Sequence, residues 1–146
     1  MSGSRAESLG TARKARILIV DDEEGMRDLL KTILEADYQI TEAGSGAALH
    51  LAFNLEAPDV VLLDIKLPDA NGLGLLPAIK QRWPKTEVII LSGTPSDHRT
   101  AAWAAEATKG GAFAFLSKSA EFSFPQILDY VSSAVERRFQ GVGSDA

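Results

Sequence analysis

The sequence predicts an α/β fold in which a parallel β-sheet is covered by helices on both faces. Three short apolar runs, at 17–20, 60–63 and 88–91, consist of valine, isoleucine and leucine without polar alternation. Runs of this length are typical of strands that are buried on both faces, as parallel strands are. The segments between them carry apolar residues at helical spacing instead. This alternation of strands and helices predicts a doubly wound α/β sandwich.

The first half of the chain supplies three of the predicted strands and two helices. The first strand, Ile17–Val20, runs into acidic residues, and the helix that follows begins near Gly25. Tyr38–Thr41 alternates in polarity, which predicts a weaker second strand. Ser45 is a favourable N-cap for the second helix, because its hydroxyl can accept a bond from an unpaired backbone N–H. The third strand, Val60–Asp64, again ends in a carboxylate.

The second half continues the alternation. Asn71 is the predicted N-cap of a helix from Leu73 to about Trp83. Pro77 lies inside that helix and removes one hydrogen bond at a cost of about 3 kcal/mol, so we expect a later start or a distorted first turn. The remaining predicted elements are a strand at Val88–Leu91, an alanine-rich helix at Ser96–Lys109, a strand at Ala112–Leu116, and a last helix opened by Ser123 and Pro125.

Right-handed crossovers favour the strand order 2-1-3-4-5 for such a sheet. We therefore expect a flavodoxin-like, doubly wound, five-stranded parallel sheet with five helices. The expected organisation is a flexible leader at 1–15, one domain at 16–139, and a C-terminal tail at 140–146.

Composition and charge narrow the classes of function. The 146 residues include 15 Lys+Arg and 20 Asp+Glu, a net charge of −5, which does not indicate a nucleic-acid or membrane-surface module. There is no cysteine, which excludes disulfides and thiol catalysis. No apolar run approaches the roughly 20 residues of a membrane span, and residues 1–12 lack the apolar segment of a signal peptide. We therefore expect a cytoplasmic protein.

Four of the five predicted strands end in residues with clear chemistry. Asp21 and Asp22 follow the first strand, Asp64 ends the third, Ser92 follows the fourth and Lys118 follows the fifth. These side chains should converge, because the carboxyl ends of parallel strands meet at one edge of the sheet. Two carboxylates about 4 Å apart repel by about 4 kcal/mol at an effective dielectric of about 20. A divalent cation is needed beside the lysine, and Mg²⁺ fits because it binds carboxylates, keeps waters and accepts a phosphoryl oxygen.

With these residues in this order, the segment from Arg16 to Phe139 resembles the receiver domain of two-component response regulators. The motifs that carry the resemblance are Asp21-Asp22, Asp64 with Pro68 and Gly72, Leu91-Ser92-Gly93, and Gly111-Ala112 through Phe115-Leu116-Ser117-Lys118. The resemblance implies a phosphoprotein of phosphorelay signal transduction, with the receiver domain at 16–139.

The resemblance also implies how the acidic residues act. Asp64 would be the phosphorylation site, taking a phosphoryl group from a histidine kinase or a small phosphodonor. Asp21, Asp22 and Asp64 would bind Mg²⁺ together with the backbone carbonyl of Lys66. An aspartyl nucleophile divides phosphotransfer into two easier steps.

The other motif residues would bind the phosphate and switch the domain. Ser92 would hydrogen-bond the phosphoryl group, Gly93 would leave it accessible, and Lys118 would pair with it. Phe115 would then turn inward and repack the face formed by helix 4, strand 5 and helix 5, which is a shift between two packings.

Three positions depart from the family pattern or add to it. Ser119 stands where the family usually has proline, and we expect a trans bond there, because a cis bond before a non-proline residue costs about 2.5–4 kcal/mol. The spacing from Ser92 to Lys118 is longer than usual by about one helical turn, and we place the extra length near 103–109. The Lys66 ammonium could reach Asp22 or the phosphoryl group and slow hydrolysis; the alternative is that it points to solvent.

Three functions remain open from the sequence. The favoured one is a phosphoacceptor switch that catalyses its own phosphorylation and dephosphorylation and is not a dedicated enzyme. The alternatives are a receiver-like interaction module that acts without phosphorylation and a Mg²⁺-dependent small-molecule phosphatase. The phosphatase would need a second aspartate two residues after the nucleophile, where this chain has Lys66.

The expected partners are a histidine kinase or phosphotransfer protein and a downstream effector domain or protein. Direct nucleic-acid binding by this domain and membrane contact are not expected. A homodimer through helix 4, strand 5 and helix 5 is left open.

Overall fold

The apolar runs form the strands of a central sheet, and the amphipathic segments form the helices around it. The computed structural model describes residues 14–93, 98–117 and 124–144, with side chains described for all of these except 98–100 and 141–144. The elements in chain order are β1 (Arg16–Val20), α1 (Glu24–Leu34), β2 (Gln39–Ala43), α2 (Gly46–Ala52), β3 (Val60–Asp64), α3 (Gly72–Arg82), β4 (Glu87–Ser92), α4 (His98–Lys109), β5 (Ala114–Ser117) and α5 (Phe124–Ser144).

The sheet is parallel throughout, and its strand order is β2-β1-β3-β4-β5. This confirms the predicted flavodoxin-like arrangement. Asp64 pairs in register with Leu91, and Ser92 pairs with Ser117. The ends of β3, β4 and β5 therefore lie side by side at the carboxyl edge of the sheet.

Both faces of the sheet are buried, as continuous apolar strands require. Leu18, Val61 and Ile90 point to one side, where they pack with residues of α3 such as Ile79. Neighbouring strand residues point to the other side and pack against buried residues of α1 and α5, namely Leu30, Leu34, Ile127, Val131, Ala134 and Val135. Because all five residues of β3 are buried, the carboxylate at its end rests on a closely packed support.

Helix α3 differs from the sequence prediction at its start. It begins at Gly72 with Pro77 inside it, so a later start is wrong. The Asn71 side chain accepts a hydrogen bond from Leu73 N at 2.8 Å, which confirms the predicted cap. The Asn71 carbonyl accepts from Gly74 N at 2.9 Å, an i→i−3 bond that tightens the first turn.

Other boundaries differ from the predictions as well. Strand β2 begins at Gln39 because Tyr38 N still donates to Leu34 O at the end of α1. Strand β5 begins at Ala114 because Ala112 N donates to Ala107 O and closes α4, with Gly111 at a φ of 93°. Helix α5 continues through Ser144, into the residues expected to form a tail.

The predicted leader lies almost wholly outside the described residues. None of the described helices is both long enough and apolar enough to cross a membrane.

Candidate functional site

Three aspartates meet at the carboxyl edge of the sheet, as the strand ends predicted. Each of Asp21, Asp22 and Asp64 offers a carboxylate oxygen, and these oxygens lie within 4.8 Å of one another. Asp21 and Asp64 are buried, whereas Asp22 is exposed. The cluster is thus held by the protein on one side and open to solvent on the other.

The loop between β1 and α1 is held in place by Arg27. Its Nη1 donates a hydrogen bond to the backbone carbonyl of Asp21 at 2.6 Å, and its Nε donates to Glu42 Oε1 at 3.1 Å. The guanidinium therefore ties the acidic loop to the end of β2. A side chain at Gly44 would press against this guanidinium, since its Cβ would lie 3.2 Å from Nη1. The sequence pattern did not identify this contact, because it depends on how the loop folds back over the helix.

The loop after β3 orients the third aspartate. Lys66 N donates a hydrogen bond to Asp64 Oδ1 at 3.1 Å, and Gly72 N donates to Ile65 O at 2.7 Å. Gly72 lies so close to the strand end that an added Cβ would be 2.3 Å from the Asp64 carbonyl oxygen. Only glycine allows α3 to begin directly beside Asp64.

Ser92 and Phe115 occupy neighbouring strands. Ser92 is fully buried at the end of β4. Phe115 lies on β5, is half-buried and packs against the core cluster on the α3 side of the sheet. Gly93 is exposed, and a Cβ there would meet none of the described residues within 4 Å. Ser117, paired in register with Ser92, has a buried Oγ without a hydrogen-bond partner among the described residues.

The predicted residues Lys118 and Ser119, and the predicted start of the last helix at Ser123, lie outside the described residues. The Lys66 side chain is exposed at the edge of the site.

Asp69 is a structural residue that the sequence pattern did not single out. Its two carboxylate oxygens accept hydrogen bonds from Gly46 N at 2.8 Å and Ala47 N at 2.9 Å, so the loop after β3 caps the start of α2. These two N–H groups lower the pKa of Asp69 below its ordinary value of 3.8. The contact joins residues more than 20 positions apart and has no local signature.

The acidic cluster fits the donor set that Mg²⁺ prefers. Mg²⁺ binds oxygen ligands at about 2.1 Å in octahedral geometry, so two of its ligands lie at most about 4.2 Å apart. Three ligands of one octahedral ion include at least two neighbouring pairs about 3.0 Å apart, so oxygens within 4.8 Å of one another would need to approach by about 1.8 Å at most to bind one ion. The exposed flank at Asp22 leaves room for the waters that Mg²⁺ retains.

The sequence model of the response regulator receiver domain family matches residues 17–131. The chain belongs to this family of two-component signalling proteins, whose receiver domains are phosphoacceptors and not dedicated enzymes.

Individual relatives are considerably longer than this chain. It is 37% identical over 109 residues to a protein-glutamate methylesterase/protein-glutamine glutaminase of Agrobacterium fabrum, a match that covers 73% of this chain and 30% of that protein. It is 33% identical over 124 residues to the DNA-binding transcriptional regulator NtrC of Proteus hauseri, covering 84% and 25%. The chain thus spans less than a third of these relatives.

A solved structure of similar size also matches. The crystal structure of a CheY-like response regulator receiver domain protein from Methanospirillum hungatei JF-1 superposes with a TM-score of 0.79 and 26% identity. The match covers 88% of this chain and 98% of that one.

Proposed function

We propose that this chain is a Mg²⁺-dependent phosphoacceptor that receives a phosphoryl group on Asp64 from a phosphohistidine of a histidine kinase or phosphotransfer protein. The observation that carries the proposal is the convergence of three carboxylates, from Asp21, Asp22 and Asp64, within 4.8 Å at the carboxyl edge of the sheet. Such a concentration of negative charge on a rigid support favours a divalent cation and, with it, a phosphoryl group.

The chemical step uses Asp64 as the nucleophile. One carboxylate oxygen forms a bond to phosphorus while the P–N bond of the donor breaks; the donor imidazole keeps the electron pair. The hydrogen bond from Lys66 N to Oδ1 fixes the orientation of the carboxylate for this attack. Bound Mg²⁺, held by the three aspartates and the Lys66 carbonyl, would neutralise charge on the phosphoryl oxygens.

The remaining predicted residues would read out the phosphoryl group. The Ser92 hydroxyl would donate to a phosphoryl oxygen, Lys118 would pair with another, and Gly93 would leave access for donor and water. Phe115 would turn inward, and the face formed by α4, β5 and α5 would repack for an effector domain or protein, or for a second copy of the chain. Ser92 and Phe115 lie on adjacent strands, which supports a short path between them.

In this proposal the domain catalyses only the gain and loss of its own phosphoryl group. It acts in the cytoplasm and does not contact nucleic acid directly.

The Lys66 ammonium would shield the acyl phosphate from water. The Lys66 backbone N–H bonds to Asp64 Oδ1, so the side chain starts close to the nucleophile, which supports this role. The rate of autodephosphorylation should therefore rise in Lys66→Ala; an unchanged rate would remove the role of this side chain.

The test is treatment with a small phosphodonor, followed by intact mass measurement. The chain should gain about 80 Da with Mg²⁺ and none with EDTA. Asp64→Asn should abolish the gain, whereas Asp37→Asn, an exposed aspartate at the far end of α1, should retain it. Repeated turnover of the donor with rapid loss of the adduct would instead indicate a phosphatase. No adduct in the presence of Mg²⁺ would indicate a phosphorylation-independent module.

A further inference from the structure

The side of α2 that faces solvent is apolar. Among the described residues the exposed large apolar side chains are three leucines, and two of them lie here: Leu51 is 71% exposed and Leu55 is 66% exposed. Leu51 lies in the last turn of α2, and the backbone continues to Leu55 in i→i−3 turns, with Leu55 N donating to Ala52 O. The two leucines therefore lie about one turn apart, roughly 6–8 Å along the helix axis.

The same stretch carries almost no charge. From Ala43 to Leu55 the sequence has no Asp, Glu, Lys or Arg, although 24% of the chain is charged, and His50 is its one titratable residue. A helix on the surface of a globular protein normally presents charged or polar residues to solvent. Neighbouring exposed leucines without such residues around them indicate a face that another protein surface covers.

An open groove lies beside the second leucine, between the segment that follows α2 and the segment that joins α3 to β4. Its apolar side is formed by Leu55, Ala57, Trp83 and Pro84, and its volume is about 300 Å³. The face thus combines a projecting side chain, Leu51, with a concave apolar surface one turn further along. Such a face is complementary to itself, because a two-fold axis between the two features brings Leu51 of each copy to the groove of the other.

The charges at the two ends of this face have opposite signs. At the amino end, the exposed Asp69 carboxylate accepts hydrogen bonds from the first two N–H groups of α2. At the other end, the exposed Arg82 and Lys85 line the groove, and the nearby Glu56 is paired with Arg16 at 2.7 Å. Antiparallel pairing of two copies brings unlike charges together, whereas parallel pairing would bring like charges together. The complementary surface is therefore that of this chain itself.

We propose that the α2 face, defined as Ala47 to Leu55 with the groove beside Leu55, is the contact between two copies of this chain. The copies pair antiparallel about a two-fold axis, with Leu51 of each in the groove of the other and Asp69 of each facing Arg82 and Lys85 of the other. The face is small, so the dimer is concentration-dependent, with a Kd on the order of 100 µM. It uses a different surface from α4, β5 and α5 and does not depend on phosphoryl transfer.

Sedimentation of the full-length, unphosphorylated chain in EDTA tests the pairing. The weight-average mass should rise from near the monomer value at about 20 µM toward twice that value at about 1 mM. In Leu51→Gln/Leu55→Gln it should stay near the monomer value, and urea unfolding should show that this variant folds, since both side chains are exposed. The matched control is Leu29→Gln, because Leu29 is an exposed leucine on α1, which packs on the other face of the sheet. This control should dimerise as wild type does.

Charge reversal tests the antiparallel arrangement. Arg82→Glu/Lys85→Glu places acidic side chains opposite Asp69 of the other copy and should weaken dimerisation about tenfold or more. Lys109→Glu, at an exposed position of α4, should leave it unchanged.

The chain has no cysteine, so a single introduced cysteine reports the contact. Asn54 is exposed between the two leucines and lies close to the proposed axis, opposite its own copy. On oxidation, Asn54→Cys should form an intermolecular disulfide at least about ten times faster than Thr32→Cys, at an exposed position of α1.

Each of four results would overturn the proposal. A wild-type chain that stays monomeric at about 1 mM would leave the α2 face for a different protein. A dimer that persists in the leucine double variant would place the interface on another surface. Unchanged affinity after charge reversal, or equal disulfide rates in the two cysteine variants, would exclude the antiparallel contact.

Discussion

The contact between Gly72 and Asp64 makes a quantitative prediction about Gly72→Ala. The added Cβ would lie 2.3 Å from the Asp64 carbonyl oxygen and 3.0 Å from Ile65 Cα. The obstruction is backbone of a fully buried strand, so α3 must move by about 1 Å, and overpacking of this kind costs about 1–3 kcal/mol. Taking about 2 kcal/mol and a urea dependence near 2 kcal/mol per M, the unfolding midpoint should fall by about 1 M.

Gly74→Ala is the matched control for this prediction. It lies in the same first turn of α3, is exposed, and its Cβ would meet nothing within 4 Å. Alanine is the better helix former by about 1 kcal/mol, so this variant should be as stable as wild type or more stable. Urea unfolding and the phosphoryl adduct are measured for both variants. The reasoning fails if Gly72→Ala unfolds within about 0.3 M of wild type, or if both variants lose the same stability.

Three further substitutions test contacts around the site. Arg27→Met should lower the free energy of unfolding by about 1.5–3 kcal/mol, because it removes a charged hydrogen bond to the acidic loop. The exposed control Lys31→Met should change the free energy of unfolding by less than about 0.5 kcal/mol. Equal losses in the two variants would contradict the role of Arg27. The pKa of Asp69 is lower in the folded protein than in the unfolded chain. The stability that this carboxylate contributes is therefore complete above pH 3.8 and is lost as the pH falls through the depressed pKa. In urea unfolding from about pH 5 to about pH 3, the stability of Asp69→Asn should fall less steeply with pH than that of the wild type. Pro77→Ala should raise stability by about 1–2 kcal/mol, measured by the same unfolding, because it restores an N–H that can donate to the Leu73 carbonyl.

The fold and the acidic edge could be predicted because each depends on local periodicity and one topological rule. Continuous apolar runs predict parallel strands, and parallel strands bring their carboxyl ends together. Asp21, Asp22 and Asp64 therefore converge whatever the loops do in detail. The caps at Ser45 and Asn71 were predictable for the same reason, since a cap bonds to N–H groups two or three residues away.

Contacts between loops could not be predicted in this way. Loop geometry has no sequence period. It determines the hydrogen bonds from Gly46 and Ala47 to Asp69, and also the hydrogen bond from Arg27 to the acidic loop. Element boundaries shifted for a related reason: Ala112 is apolar, as are the residues that follow it, but its N–H donates to Ala107 O and closes α4. The sequence pattern indicates whether a side chain favours a helix or a strand. The residue at which an element begins or ends is determined by the acceptor to which its backbone N–H donates.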